Sequence, residues 1–464
     1  MRDHRPQRFG EDAHTPVEHE WGVGPGYDGA IPCRPAAAGR GDDGRLLIIS
    51  RRSRVLENSL CPISVSWEFS GTLPGLAHLA TGMNSSSPHT TPDQPALDKF
   101  ASLLEMGFER LDPAPITTES ICVGVGTHKV SQVRPAMGSF VTISVLHRSE
   151  GLAEDAVGKA FEEMDRVVAV LNRFDGSSAL ACLNDTGRIE NAPPELARVV
   201  GGGLGYHRLT SGAFDITVKP IIDLFRDPQT YEPRTPPSAA ELSEARALVG
   251  VEHIGIHGRD LSLSRAGMGL TLDGIAKGYI VDAMADALRA HGATRFLINA
   301  GGDIRAAGDR GDALPWTIAI RDPEDPAPSW DSESWQRSVV TDLIRITNGA
   351  VATSGSYEVY FDRERLAHHI VQGRTGRSPD HAMSVTVTAA TTMEADALAT
   401  AVFVLGPGDG VGLINGIAGC ECLIIGRQGQ QVRSDGWSAM AASAGEPGRR
   451  AGGAETEANE RRDG

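Results

Sequence analysis

Residues Ser384 to Gly406 read Ser-Val-Thr-Val-Thr-Ala-Ala-Thr-Thr-Met-Glu-Ala-Asp-Ala-Leu-Ala-Thr-Ala-Val-Phe-Val-Leu-Gly, an alternating stretch that passes straight into a helical one. Met383, Val385 and Val387 take one face of a strand, and Thr391 with Glu394 has the pattern of a capping box that starts a helix. A period of two that gives way to 3.6 at one junction commits the chain to a fold in which strands and helices share a core. Asp396 and Thr400 lie four apart on that helix, so their side chains stack on one face and can share one small hard cation. The same spacing also suits a Thr that bonds back to the carbonyl of a solvated Asp. The rest of the chain has to decide between the two.

Charge narrows the function classes. Acidic residues outnumber basic ones by 60 to 44 in 464 residues, a formal charge of −16, which argues against a nucleic-acid backbone or an anionic membrane surface as partner. The 40 % hydrophobic content supports a sizeable core, yet no run reaches the length of a transmembrane segment. The start, Met-Arg-Asp-His-Arg-Pro, lacks the apolar core of a signal peptide, so the expected compartment is the cytoplasm. An over-extended start would allow an exported form. Arg51-Arg-Ser-Arg54 followed by Leu60 to Val65 has the order of a leader, although Glu57, Asn58 and Glu68 interrupt it. The six cysteines imply no disulfide framework, and Cys420-x-Cys422 sits in an alternating apolar segment that reads as strand.

The organisation is lopsided. Residues 1–130 are rich in Gly, Pro, Ser and charge and read as a poorly ordered region, with Ser85 to Pro95 as linker. A single α+β catalytic domain, with a mixed sheet and packed helices, is expected over 131–440, followed by a disordered tail over 441–464. Within it, Val141, Ile143 and Val145 alternate as a strand, and Val157, Ala160, Phe161, Met164, Val167, Val168 and Leu171 share a helical face. A helix is expected from Ile275 to Ala290, stopped by Gly292; strands at Arg295–Asn299 and Trp316–Arg321; and helices at 392–405 and 408–416.

Glycine-rich stretches are the candidate phosphate cradles. Gly201-Gly-Gly-Leu-Gly205 reads either as a loop or as a weakened helix within Pro194–Leu209. Gly124-Val-Gly126 lacks a third glycine and a following helix, so the dinucleotide fingerprint fails. Leu272-Asp-Gly-Ile-Ala-Lys-Gly278 opens a helix, where free amides, the positive end of the helix and Lys277 favour an anion. Leu297-Ile-Asn-Ala-Gly-Gly-Asp-Ile304 leaves a strand through two glycines that let backbone approach a ligand.

Eight segments taken in chain order resemble one family. They are Ala136-Met-Gly-Ser-Phe-Val-Thr-Ile; Leu171-Asn-Arg-Phe-Asp-Gly-Ser-Ser with Leu183-Asn184; Thr210-Ser-Gly-Ala-Phe-Asp-Ile-Thr-Val; Leu272 to Gly278 and on to Asp282; Asn299-Ala-Gly-Gly-Asp-Ile; Val351-Ala-Thr-Ser-Gly-Ser-Tyr; His369-Ile-Val-Gln-Gly-Arg-Thr-Gly376; and the Asp396/Thr400 helix. Their order and spacing resemble the FAD:protein FMN transferases, the ApbE-like flavin transferases, over residues 133–435.

The resemblance implies an enzyme that takes FAD and Mg²⁺, moves FMN onto a Thr or Ser hydroxyl of an acceptor protein carrying a flavinylation motif, and releases AMP. It implies metal donors at Asp396, Thr400 and the Gly274 carbonyl, and FAD contacts at Met137, Phe174, Ala213, Phe214, Asp215, Thr271, Lys277 and Ile370. His369 takes the position of a candidate general base, whereas His368 reads as its surface neighbour and is expected to tolerate Ala. Three departures stand out: Thr271 where the family has Asp, Asp273 where it has Gly or Ser, and Gln372-Gly373 where it has Asp-Pro. Asp273 is then either a displaced carboxylate or the N-cap of the following helix. A flavin-binding protein that does not cleave FAD, and an FAD pyrophosphatase in which water replaces the protein hydroxyl, are the alternatives.

Overall fold

Val141, Ile143 and Val145 alternate into the core as expected, and the strand they define sits inside a nine-stranded sheet. The computed structural model describes residues 117–440 except 125, 227–235, 312, 325–339 and 363–366. Residues 1–116 and 441–464, with the linker and the leader-like stretch expected there, lie outside the described residues. The large sheet runs β1 (Thr117–Gly124), β2 (Thr127–Ala136), β3 (Ser139–His147), β7 (Phe296–Ala300), β8 (Asp303–Ala307), β11 (Gly349–Gly355), β12 (Ser384–Ala389), β13 (Glu421–Ile425) and β14 (Gln431–Arg433). Every pairing in it is antiparallel, so the sheet expected as mixed is built from hairpins and antiparallel returns.

The α+β class holds. One face of the sheet carries α1 (Glu150–Leu171), α6 (Ala276–Ala290) and α7 (Thr392–Leu405), whose apolar stripes meet Val141, Ile143, Val385 and Val387. The other face is covered by the hairpin β9 (Trp316–Arg321) and β10 (Val340–Ile346), which buries Trp316, Ile318, Ile344 and Trp437 against Leu423 and Ile425. β12 is therefore buried at every position, including Ser384, Thr386 and Thr388. Its alternation reports apolar against small polar, not core against solvent.

The expected boundary at residue 131 cuts through β2. β1 pairs with β2 along its length, but the side chains of residues 118–123 are exposed, so the strand carries no alternating signature. Smaller elements complete the domain: α2 (Ala179–Thr186), α3 (Pro194–Leu209), α4 (Lys219–Phe225), α5 (Ala239–Arg246), α8 (Pro407–Asn415), α9 (Trp437–Met440) and the short sheet β4 (Arg188–Ile189), β6 (Asp260–Leu263), β5 (Ile254–His257). The stretch Gly201–Gly205 is helical, within α3. A methyl at Gly202 would lie 2.2 Å from Met393 Cε and one at Gly203 2.8 Å from Ile216 Cγ2, so these glycines serve close packing and not a phosphate loop.

The helix predicted from Ile275 begins at Ala276, with Ile275 as an N-cap that makes no side-chain cap bond, so Asp273 is not the cap. Thr391 does cap α7, accepting the Glu394 amide. The first turn of α7 has a second anchor, since Asp282 on α6 accepts the amides of Thr392 and Met393 at 2.9 Å each. Gly278 makes this approach possible, because a Cβ there would lie 2.4 Å from the Thr392 carbonyl oxygen.

Candidate active site

Two tight turns form the rim of the site. Met137 and Gly138 join β2 to β3 with φ of 53° and 68°, and Gly301 and Gly302 join β7 to β8 with φ of 63° and 103°. Left-handed backbone at a Met is uncommon, and here it directs a 94 % buried side chain into the fold. The tips touch, since a Cβ on Gly301 would lie 2.2 Å from Ser139 Oγ.

Below the first tip lies a cleft lined by Met137, Phe174, Arg173, Asp273 and Lys277 among others. Phe174 belongs to a loop tied by its own polar groups: Asn172 Oδ1 accepts the Phe174 amide at 3.1 Å, and Ser178 Oγ donates to the Asn172 carbonyl at 2.6 Å. Lys277, in the first turn of α6, meets Asp303 at 3.1 Å, with that carboxylate 2 % exposed. Arg173 forks onto Asp273 at 3.1 and 2.8 Å and lies 4.2 Å from the centre of the Phe174 ring. Sequence reasoning passed over Arg173, although a carboxylate at a helix entrance was the sign that a cation should face it.

The three expected metal donors converge at the entrance of α6. A Cβ at Gly274 would lie 2.8 Å from Thr400 Oγ1 and 3.3 Å from Phe214, so only glycine fits, and its peptide stands beside the Thr400 hydroxyl. Asp396 is 6 % exposed and its Oδ2 accepts the Gly278 amide at 3.0 Å. Ser354 on β11, not singled out from the sequence, adds a hydroxyl 3.3 Å from Thr400 Oγ1. The Asp396 carboxylate and the Thr400 and Ser354 hydroxyls are oxygen donors of the kind that small hard cations take, and the Gly274 peptide lies beside them. Among the described residues no group of three or more His, Cys, Asp or Glu side chains is arranged to hold a metal.

The remaining expected contacts frame this centre. Ala213 and Phe214 are buried, with the Phe214 amide held by Thr210 Oγ1 at 3.0 Å. Asp215 Oδ1 accepts the amide and the hydroxyl of Thr217 at 2.8 and 2.5 Å; burial raises its pKa and those bonds oppose the rise. A Cβ on Gly373 would lie 3.0 Å from Asp215 Oδ2, so the glycine at this position gives the carboxylate room. Thr271 is 6 % exposed, donates its amide to the Ile216 carbonyl and accepts the Asp273 amide at 3.4 Å. Ile370 is buried, with its amide 3.3 Å from His368 Nδ1.

His369 stands where the Asp273 carboxylate and the Lys277 ammonium both act on its charge, in opposite directions. Burial holds its pKa down to about 4, while a 3.4 Å contact between Nδ1 and the Val359 carbonyl favours the protonated ring. His368 corrects the expectation of a surface residue. It is fully buried, with its amide on Ser378 Oγ at 2.9 Å and its Nε2 2.8 Å from the Pro379 carbonyl, and burial lowers its pKa to about 4 as well.

Residues 137–424 match the model of the ApbE family. An FAD:protein FMN transferase of Vibrio cholerae is 32 % identical over 280 residues, 59 % of this chain and 80 % of the relative. One of Escherichia coli K12 is 30 % identical over 316 residues, 66 % of this chain and 85 % of the relative. Among solved structures, the flavin transferase ApbE of Vibrio cholerae superposes with a TM-score of 0.57 at 27 % identity, covering 70 % of this chain and 100 % of that one. The ApbE protein of Thermotoga maritima gives 0.60 at 27 % identity, over 70 % of this chain and 100 % of that one.

Proposed function

The chain belongs to the ApbE family and is a flavin transferase, and from that premise we propose that it transfers FMN from FAD to a Thr or Ser hydroxyl of an acceptor protein, releasing AMP with Mg²⁺ as cofactor. The observation that carries the finer reading is the convergence of the Gly274 peptide, Thr400 Oγ1 and Asp396 beside the cleft that holds Met137, Phe174 and Lys277. Asp396 and Thr400, with the Gly274 carbonyl, would hold Mg²⁺ there, and its chemistry when bound would be to offset negative charge on phosphate oxygens. Ser354, within 3.3 Å of Thr400 Oγ1, would orient that hydroxyl toward the ion.

The protein's own residues position FAD and move one proton. Met137 and Phe174 offer apolar and aromatic faces to a flat ring system. Lys277 and the positive end of α6 stand at the part of the cleft that the diphosphate would take. With Nδ1 turned to the Val359 carbonyl, His369 keeps its lone pair on Nε2 and takes the proton of the attacking hydroxyl. The acceptor oxygen forms a bond to the FMN phosphorus, the bond from that phosphorus to the bridging oxygen breaks, and AMP leaves with the bridging oxygen. The low pKa of His369 makes it a weak base, suited to a transition state in which little proton transfer is needed until the leaving group has largely departed.

The test is to incubate the full chain with FAD, Mg²⁺ and a Thr-bearing acceptor peptide, and to follow peptide mass and AMP together. A flavin-labelled peptide with equimolar AMP is expected. AMP and free FMN without labelled peptide would mean hydrolysis, and bound FAD with neither product would mean a flavin-holding protein.

A further inference from the structure

Asp273 presents a chemical problem. It lines the same cleft as Lys277, three residues before the first helical residue of α6, where the proposed reading places the diphosphate of FAD. A carboxylate there repels that diphosphate, and with 28 % of its side chain exposed it is only partly screened by water. Lys277 does not relieve it, because that ammonium is engaged with Asp303.

The answer comes from a residue 100 positions away. Arg173 places both Nε and a terminal nitrogen on the Asp273 carboxylate, and its side chain is 9 % exposed, which leaves few other geometries open to it. Its second carboxylate neighbour, Asp223, is farther at 3.9 Å and is itself bonded to Lys219 at 2.5 Å, whereas Asp273 is met at 2.8 Å. Phe174 backs the guanidinium with its ring. We infer that Arg173 is the dedicated counter-ion of Asp273, a positioning pair that keeps the diphosphate end of the cleft free of uncompensated negative charge and holds the peptide of the adjacent Gly274 in place. This rests on the FAD reading of the cleft given above.

The pairing predicts an unusual sign in a double-mutant cycle read as the Kd for FAD of the full chain. Arg173→Met keeps the side-chain bulk and exposes the carboxylate, so Kd rises at least about tenfold. Asp273→Asn alone leaves Kd unchanged or lower. Arg173→Met with Asp273→Asn returns it to near the unmodified value, and Arg173→Lys, which keeps the charge without the fork, stays within about threefold of it. The gap between Arg173→Met and the unmodified chain narrows as salt rises, because screening weakens repulsion, whereas a purely structural loss would not respond to salt.

ADP serves as a second probe that carries the diphosphate without the flavin. A double variant as weak as Arg173→Met would overturn the inference and make Arg173 a direct FAD contact. An Arg173→Met variant that binds FAD as the unmodified chain does would overturn it as well. Failure of the unmodified chain to bind FAD while it still binds ADP would instead sink the flavin reading and leave the counter-ion role standing on the ADP cycle.

Discussion

Asp282 and Asp396 hold each other's helices: Asp282 on α6 accepts the first amides of α7, and Asp396 on α7 accepts the Gly278 amide in the first turn of α6. The three bonds cross the same close contact, and they fix the register in which Thr400 comes beside Gly274. Burial raises the pKa of Asp282, the amides and Arg305 pull it back, and Arg305 also reaches the Ala390 carbonyl ahead of α7. Asp282→Ala is therefore expected to cost about 1–2 kcal/mol of stability, as the loss of a helix cap does. It should also raise the Mg²⁺ concentration needed for half-maximal rate, with the rate at saturating Mg²⁺ far less changed. Denaturant melts and a metal titration check both parts.

Asp396→Asn separates the two duties of that carboxylate. The amide oxygen can still accept from Gly278, so the fold should survive, while the lost charge is expected to lower transfer by about 10²-fold or more. Asp396→Ala should abolish transfer and also lower the melting temperature, since a buried N–H then loses its partner. Turnover equal to the unmodified chain, still dependent on Mg²⁺, would remove Asp396 from the metal site.

His369→Ala is expected to slow transfer by about 10²- to 10⁴-fold with little change in FAD affinity. A base must be neutral, and a pKa of about 4 keeps this ring neutral across the ordinary range. The acid limb of the rate profile should thus lie near pH 4 and not near the usual histidine value. If the variant mainly weakened FAD binding, the role assigned to His369 would be wrong.

His368→Ala should unfold the chain more easily, by about 3 kcal/mol, because it leaves a cavity and strips partners from Ile370 and Pro379. Its pH signature has a definite sign. Both histidines have folded pKa values near 4, below the unfolded value near 6.5, so the unfolded chain binds more protons between those limits. Stability contributed by the neutral rings is full above about pH 6.5 and is lost as pH falls toward 4. A series of melts across that window, compared with His368→Ala, measures it.

A fragment that starts at Thr117 and ends at Met440 is expected to bind FAD as the full chain does. One that starts at residue 131 removes β1 and the first residues of β2, leaves Val145–His147 of β3 without their β2 partners, and should melt several degrees lower. Matched melts of the two fragments decide where the domain begins.

Periodicity carried the elements whose burial is one-sided. The stripe from Val157 to Leu171 and the alternation in Trp316–Arg321 were readable because solvent sits opposite the core along α1 and β9. β1 was invisible because both its faces are wet. The proposed metal donors were legible as a motif, but the meaning of Asp273 was not, since its partner Arg173 is 100 residues distant and nothing local distinguishes a cap from an ion pair. His368 misled for the same reason: two adjacent histidines look like surface, and the turn that brings Ser378 and Pro379 over one of them is a tertiary fact.

The pairing of β3 with β7 sets Val141 opposite Ala300, with the intervening chain folded as an excursion from the centre of the sheet. Closing so long a loop costs entropy before any ladder bond repays it, so the local helices and hairpins form early and the sheet centre forms late. The Met137 and Gly301 tips meet only after that closure. A newly made chain is therefore expected to gain this cleft only in its last large step, so a ligand of the cleft should slow unfolding without speeding folding.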